Sequence, residues 1–408
     1  MSVPAASRAR LSLPLRGWRL VALASLLLLL RKSWALHTPQ LYAEDGSIFL
    51  AHDDEHGIRA WWDPYMGYLH LLPRMIAWFA SHVADVAWWP VIYNGLSFAI
   101  TAGLFARLAS ARVDLPGKPW LAAAFAFVPH PGEVLFNITN LQWITAFFLL
   151  LQVIMKRPET MLARIVDLVI VFLVGLTGPF ALVFLPLFAW RWWRARNSDT
   201  LAVLLVAGVC AGIQSSFILR SQIGLLEQPM ASSPFMLAQV LGTRLIAWPL
   251  LGARIARALP GPLLTLLGSV GLVAFLGWVL RPHARRALRA PVVAALVMVL
   301  GVSMVRLRPD TWDSVDLVNG DRYFFIPRVL LAWLVIGEFD TSTRAVAFGA
   351  RAACVLGALA NLPDYVLPTP PDYHWALNCD PIRRGVPANI YTLPEGWWIE
   401  YPGRPGRK

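Results

Sequence analysis

Residues 165–190 read IVDLVIVFLVGLTGPFALVFLPLFAW, and the way this stretch is threaded decides how the whole chain is organised. It is apolar enough and long enough to cross the ~30 Å hydrocarbon core once, which takes ~20 residues. Its flanks argue against one crossing. Lys156, Arg157 and Arg164 precede it, and Arg191, Arg194 and Arg196 follow it. Cationic loops collect on the cytoplasmic face of a membrane, and a single crossing would place one cluster outside. A hairpin resolves the conflict. Thr177, Gly178 and Pro179 supply the break, because proline lacks the N–H a helix interior uses and glycine tolerates turn dihedrals. Two helices of about 12 residues are too short to cross unaided, so the turn is expected in a protein-lined cavity.

The rest of the chain has the same character. Of 408 residues, 57% are hydrophobic and 15% charged, and the mean hydropathy is +0.55. Those values lie outside the range of ordinary soluble domains. Further apolar runs fall near residues 90–108, 119–129, 141–155, 199–219, 260–280, 291–305, 323–338 and 345–361. The fold class expected is an all-α, polytopic transmembrane bundle of about ten or eleven spans. Residues 1–360 form its body and 361–408 an outer tail rich in Pro, Tyr and Trp. Residues 220–259 carry Arg220, Arg244, Arg254 and Arg257 and read as an outer loop with a partly inserted helix.

The net charge of +12 comes from short clusters between apolar runs, which is a topology signal and not a nucleic-acid surface. Arg8, Arg10, Arg16 and Arg19 precede the first run, and no small-residue cleavage site follows it, so it reads as an uncleaved first helix entered from the cytoplasm. The loops bearing Arg107, Arg112 and Lys118, and Arg281, Arg285, Arg286 and Arg289, are assigned to that same face. Residues 37–89 then form a long outer loop. Most of the acids, among them Asp63, Asp310, Asp313, Asp316 and Asp321, fall outside. The location expected is a plasma membrane, with the C-terminus exoplasmic. Trp61, Trp62, Trp88, Trp89, Trp397 and Trp398 suit an interfacial belt. Cys210, Cys354 and Cys379 are too scattered for a disulfide framework.

The outer loops carry the polar chemistry. Glu44 and Asp45 follow the first helix closely, and adjacent carboxylates serve as a general base or hold a divalent cation, or simply form a solvated turn. His52 and His56 share a helix face around Asp53, Asp54 and Glu55, but no third metal ligand is identifiable, and a polar helix end is the simpler reading. Arg74 and Arg322 offer planar forks to phosphate oxygens; the alternatives are snorkelling or pairing with an acid such as Asp321. Glu133, Asn137, Asn140 and Gln142 stand where two helices meet the second outer loop, positions suited to hydroxyl recognition or to capping. Asn137-Ile138-Thr139 matches a glycosylation sequon. No charge is expected in the middle of a span, which speaks against ion-coupled transport.

With its acidic pair early in a long first outer loop and many spans after it, the chain resembles the GT-C superfamily of membrane glycosyltransferases. YAEDGSIF, PYMGYLHLLPR, NITNLQW, LTGPFALVFLPLF and NGDRYFFIP look like stretches that recur in bacterial GT-C-like proteins. The resemblance implies transfer of a sugar from a polyprenyl-phosphate donor to an envelope glycan, lipid or protein. It implies Asp45 as catalytic base with Glu44 second and Glu133 as the counterpart from another loop. Arg74, Arg322, His70, Asn140 and Gln142 would line the substrate site. No DxD occurs in the first loop, so no metal ligand is assigned and a divalent cation stays open as cofactor. The competing readings are a transporter or flippase of lipid-linked glycans and a non-catalytic envelope-assembly protein.

Overall fold

A computed structural model describes residues 17–221, 234–281, 286–306, 316–341 and 343–403. Arg8, Arg10, Arg16, Arg285, Asp310, Asp313 and residues 222–233 lie outside the described residues, as does the side chain of Arg286. The fold is 72% helix and 5% strand. In chain order the helices are α1 (Trp18–Arg31), α2 (Trp34–His37), α3 (Ala51–His56), α4 (Leu71–Val83), α5 (Trp89–Ala109), α6 (Lys118–Phe127), α7 (Leu141–Ile154), α8 (Met161–Gly175), α9 (Phe180–Ala195) and α10 (Ser198–Arg220). They continue as α11 (Pro234–Leu241), α12 (Trp248–Ala258), α13 (Gly261–Leu280), α14 (Arg286–Arg306), α15 (Arg322–Ile336), α16 (Arg344–Asn361) and α17 (Trp375–Arg384). A hairpin of β1 (Ala388–Thr392) and β2 (Trp397–Tyr401) closes the described chain.

Among the described residues four helices are long and apolar enough to cross a membrane: Val86–Ala109, Ser198–Arg220, Pro234–Ala258 and Gly261–Leu280. Their outward faces are hydrocarbon. Along α13, Leu266, Val270, Val273 and Leu276 are all exposed, and only 11% of its apolar window is buried. Water would penalise such a surface by roughly 25 cal/mol for each Å² of apolar area, whereas lipid would not.

The stretch opened by Ile165 is a hairpin. α8 and α9 contain 15 and 16 residues, about 22–24 Å each, longer than the 12 expected. Near the start of α8, Asp167 accepts hydrogen bonds from Arg107 (3.0 Å), Arg112 (3.1 Å) and Gln152 (3.2 Å). Near the end of α9, Arg191 donates to the carbonyl of Met155, just past α7. Both ends of the hairpin therefore return to one end of the bundle. The Thr177–Pro179 turn is at the opposite end, beside His70. Its irregular backbone is satisfied by protein: Gly178 N–H donates to Leu69 O (2.9 Å) and Leu71 N–H to Leu176 O (3.0 Å). Gln214, fully buried on α10, donates to both Leu69 O (3.2 Å) and Gly178 O (3.0 Å). Backbone polar groups with no water nearby need such partners.

Two expectations are corrected. Within residues 220–259, the part from 234 to 258 is not a loop with a partly inserted helix. It is helical, α11 and α12 joined through a π-helical turn, Gly242–Ala247, with a kink at Gly252, whose φ is 84° and ψ 162°. Its backbone touches α13 closely, since a Cβ on Gly242 would lie 1.9 Å from Leu264 O and one on Gly268 1.8 Å from Ala238 O. The second concerns charge. Arg244 sits inside that helix and Arg328 inside α15, both buried, and both bind the buried carboxylate of Asp321. Arg328 also donates to Pro129 O (2.7 Å), which ties this network to the loop between α6 and α7.

Residues 37–89 are folded and not extended. A π-helical turn, Asp45–Leu50, runs into α3, and a 3-10 segment, Gly57–Trp62, leads to α4. The tail packs on them: Leu393 N–H donates to Leu41 O (2.9 Å), Trp375 Nε1 to Val86 O (2.8 Å), and Arg383 pairs with Asp85 (2.5 Å). Of the tryptophans expected at an interface, Trp62, Trp88, Trp397 and Trp398 are exposed and Trp89 is buried in the core.

Candidate functional site

The site grows from the bend that follows α2. Ala43 takes a left-handed φ of 47° and turns the chain so that Glu44 and Asp45 point in different directions. Asp45 faces inward and is 0% exposed. Its Oδ2 accepts from Tyr42 N–H (3.1 Å), and its Oδ1 accepts from Ile138 N–H (3.1 Å), Thr139 N–H (2.8 Å) and the Thr139 hydroxyl (2.7 Å). Burial pushes this carboxyl up to about 7, against the opposing hydrogen bonds from Thr139 and Tyr42 and with a further push from the charge of Glu44. One carboxylate thus locks the segment after α2 to the loop between α6 and α7.

Glu44 is half-buried and accepts from the Tyr65 phenol (2.9 Å). Burial and the Glu44 charge together raise the Tyr65 hydroxyl well above its usual range. Glu133 comes in from the second loop. Arg322 holds it twice, through its backbone N–H (2.6 Å) and through Nη1 (3.1 Å). Burial raises the Glu133 carboxyl, and the guanidinium of Arg322 opposes that rise. Arg322 also lies within electrostatic reach of Glu44, and its side chain is 41% exposed. The partner of Arg322 is therefore Glu133. Asp321, the acid adjacent in sequence, belongs to Arg244 and Arg328.

Asn137 and Asn140 build the loop around Glu133. Both side-chain amides donate to Glu133 O, at 2.6 and 2.8 Å, and Asn140 N–H donates to Asn137 Oδ1 (2.9 Å). Asn137 is 1% exposed, so its sequon amide is internal in this fold. Gln142 is buried against Gly178 of the hairpin turn. Asn140 braces the loop backbone at Glu133, and Gln142 packs against the hairpin turn.

His70 and Arg74 form a layer underneath. The His70 ring packs among Phe49, Tyr65 and Tyr68, at centroid distances of 5.6, 5.8 and 4.8 Å. Burial, then the charge of Arg74, lowers its imidazole to about 3, so it is neutral. Arg74 is buried, lies over Phe49 (5.4 Å) and meets His52 Nδ1 (3.3 Å). The site thus brings together Glu44, Asp45, Glu133 and Arg322, with His70 and Arg74 behind Tyr65 and Phe49.

Two residues escaped the sequence reading. Arg31 donates to Val128 O (2.8 Å) and His130 O (3.3 Å), and Lys32 to Gly132 O (3.1 Å) and Leu135 O (2.6 Å). Both cations stand at the end of α1, where its carbonyls attract positive charge, and clamp the loop between α6 and α7 that carries Glu133. The signal was an Arg-Lys pair directly after an apolar run, on the side to which the charge pattern assigns few cations.

A divalent cation does not fit these donors. The charge of Glu133 is met by Arg322, and the oxygens of Asp45 are taken by N–H and O–H donors. In the HDDEH stretch, His52 meets Arg74, Asp53 accepts from Ser81 (2.5 Å) and His56 meets Asp63 (2.6 Å). Among the described residues no set of three His, Cys, Asp or Glu side chains converges.

Chemically, the surface offers one accessible carboxylate beside one accessible guanidinium, set on a buried carboxylate hinge. That combination accepts a proton from a hydroxyl and meets an anion. No protein-family model, no curated protein and no solved structure matches this chain.

Proposed function

We propose that this chain is a GT-C-like membrane glycosyltransferase of ten or eleven spans. It would transfer a sugar from a polyprenyl-phosphate donor to an envelope acceptor at the outer face of the plasma membrane, with its N-terminus cytoplasmic. The observation that carries this reading is the convergence of Glu44, Glu133 and Arg322, from three segments far apart in the chain, on Asp45 and its loop. Backbone strain is concentrated there too. Of the described non-glycine residues with left-handed φ, Ala43, Met66 and Phe136 adjoin Glu44, Tyr65 and Asn137. Strain of this kind costs of order 1–3 kcal/mol a residue and collects at functional sites.

Glu44 is the base in this reading, in place of Asp45, because Asp45 has no exposed surface for an acceptor to reach. The acceptor hydroxyl gives its proton to Glu44 as its oxygen bonds to the anomeric carbon. The bond from that carbon to the lipid phosphate breaks, and the departing charge meets Arg322. Asp45 positions the loop. Purified wild type, Glu44→Gln and Asp45→Asn, assayed with a panel of polyprenyl-phosphate sugars with and without chelator, test this. Wild type should transfer sugar, and Glu44→Gln should lose about 10²–10⁴-fold in rate. Normal donor binding without any transfer would overturn the reading, and full activity in Glu44→Gln would overturn the base.

The buried Arg244–Asp321–Arg328 network favours one second reading, a carrier of lipid-linked glycans. Arg328 lies six residues into α15, about 9 Å from its start, whereas Arg244 lies midway along the 234–258 helix, so the network reaches inward from the Glu133 end of the bundle. Counterflow in sealed vesicles without sugar transfer would favour the carrier.

A further inference from the structure

The end of the bundle away from Glu44 carries a second charged cluster that sugar transfer does not use. Arg107 and Arg112 surround Asp167, and Arg157 and Arg164 hold Asp199. Arg191 completes the set, donating to Met155 O while its buried Nη1 has no hydrogen-bond acceptor. Five guanidiniums therefore face two carboxylates. Arg164, Arg191, Asp167 and Asp199 line one cleft, together with Gln152 and Pro158, between α8, α9 and α10. Arg157, which reaches the cleft's Asp199 from outside the lining, is exposed and Arg164 partly so, with side-chain exposures of 63% and 35%.

The outward face of α8, across the helix from the buried Asp167 and Val171, is apolar. On α8, next to Arg164, Leu162, Ile165, Val169 and Phe172 are exposed, at 71, 50, 49 and 39%. Their spacing of three to four residues puts them on one side of the helix. A stripe of this kind leading away from an arginine-lined cleft matches a molecule with an anionic head and a hydrocarbon chain.

We propose that this cleft binds the headgroup phosphate of an anionic phospholipid, whose acyl chain lies along the exposed stripe of α8. The phosphate sits at the mouth, against Arg157 and Arg164, and supplies the missing negative charge. Basic pockets between membrane helices bind lipid headgroups in this way, each basic residue near the surface contributing about 1 kcal/mol. A free phosphate satisfies the same arginines, but the apolar outward face of α8 begins within two residues of Arg164 and gives a lipid's hydrocarbon chain a surface to follow, so the lipid is the occupant. The inference rests on the helices being membrane spans and does not depend on sugar transfer.

Full-length protein in neutral detergent tests it, by lipid retention in native mass spectrometry and by titration with phosphatidylglycerol, phosphatidylcholine and inorganic phosphate. Wild type should retain phosphatidylglycerol over phosphatidylcholine at least about tenfold, as expected from two or more basic contacts. Arg157→Gln with Arg164→Gln should reduce that affinity about thirtyfold, which corresponds to about 1 kcal/mol for each residue. Ile165→Ser with Val169→Ser should weaken the lipid and leave phosphate binding unchanged, and Arg383→Gln at the other end should change neither. Equal retention of the two lipids by wild type overturns the proposal without reference to any variant. Full competition by millimolar phosphate overturns the lipid as occupant. A chain that retains the lipid but transfers no sugar would leave this site standing and sink the glycosyltransferase reading alone.

Discussion

Thr139 gives Asp45 both its backbone N–H, at 2.8 Å, and its hydroxyl, at 2.7 Å, so a threonine 94 residues away anchors the carboxylate next to the proposed base. The contact makes the relative position of two loops depend on one buried acid. Its protonation state then enters the stability of the fold.

Burial raises the folded Asp45 carboxyl from 3.8 to about 7. Between those values the folded chain holds a proton that the unfolded chain has released. Stability from this group is therefore greatest below pH ~4, falls as pH rises toward 7, and is flat beyond. The total change is on the order of a few kcal/mol. Asp45→Asn, which keeps an acceptor oxygen for Thr139 and cannot ionise, should flatten this slope. Unfolding midpoints in detergent from pH 4 to 8, wild type against variant, measure it. Parallel curves would mean that Asp45 titrates at its ordinary value.

Glu133 and Arg322 form the other coupled pair. The Glu133 side chain is 11% exposed, so Arg322→Gln leaves a largely enclosed carboxylate without its cation. The expected cost is about 1–3 kcal/mol, and Glu133→Gln added to it should restore part of that loss. A double-mutant cycle on unfolding free energy reads the coupling. Strict additivity of the two substitutions would show that the pair is not formed.

Much of the architecture was legible because apolar helices are written in run length. Apolar runs at 90–108, 141–155 and 260–280 became α5, α7 and α13 within a few residues. The Thr177–Pro179 break was legible from its flanking cations. The helix from 234 to 258 was not, because Arg244, Arg254 and Arg257 interrupt its apolar pattern. The carboxylate that neutralises Arg244 is Asp321, 77 residues away, and no local window contains it. The acidic pair was visible for the same reason that its inner division was hidden. Two adjacent carboxylates stand out in sequence, but the donors that enclose Asp45 come from Ile138 and Thr139 in another loop.

The close crossing of the 234–258 helix and α13 gives a third prediction. Alanine at Gly242 or Gly268 would bring a methyl within 2 Å of a backbone carbonyl, and backbone cannot rotate aside as a side chain can. The helices must separate, at a cost of about 3 kcal/mol or more, the upper end of ordinary overpacking. Gly208 on α10 meets nothing within 4 Å, so Gly208→Ala is the control and should be neutral or slightly stabilising. If Gly268→Ala matched Gly208→Ala in thermal stability, the two helices would not cross there.

Gly178 tests the hairpin itself, because two penalties can be separated at it. Its φ is 89°, a conformation that an L side chain adopts at a cost of about 1–2 kcal/mol. A Cβ there would also lie 2.5 Å from Gln142 Oε1 and 2.8 Å from Gln142 Cβ, a clash costing about 1–3 kcal/mol. Gly178→Ala should therefore destabilise by the sum of the two. Shortening its neighbour, Gln142→Ala, takes away Oε1 but leaves Cβ, so the double variant recovers only part of the steric share and none of the torsional one. Unfolding midpoints for the four combinations decide the matter. If Gly178→Ala behaved as wild type in both backgrounds, residues 177–179 would not form this turn, and α8 and α9 would have to run on as a single span.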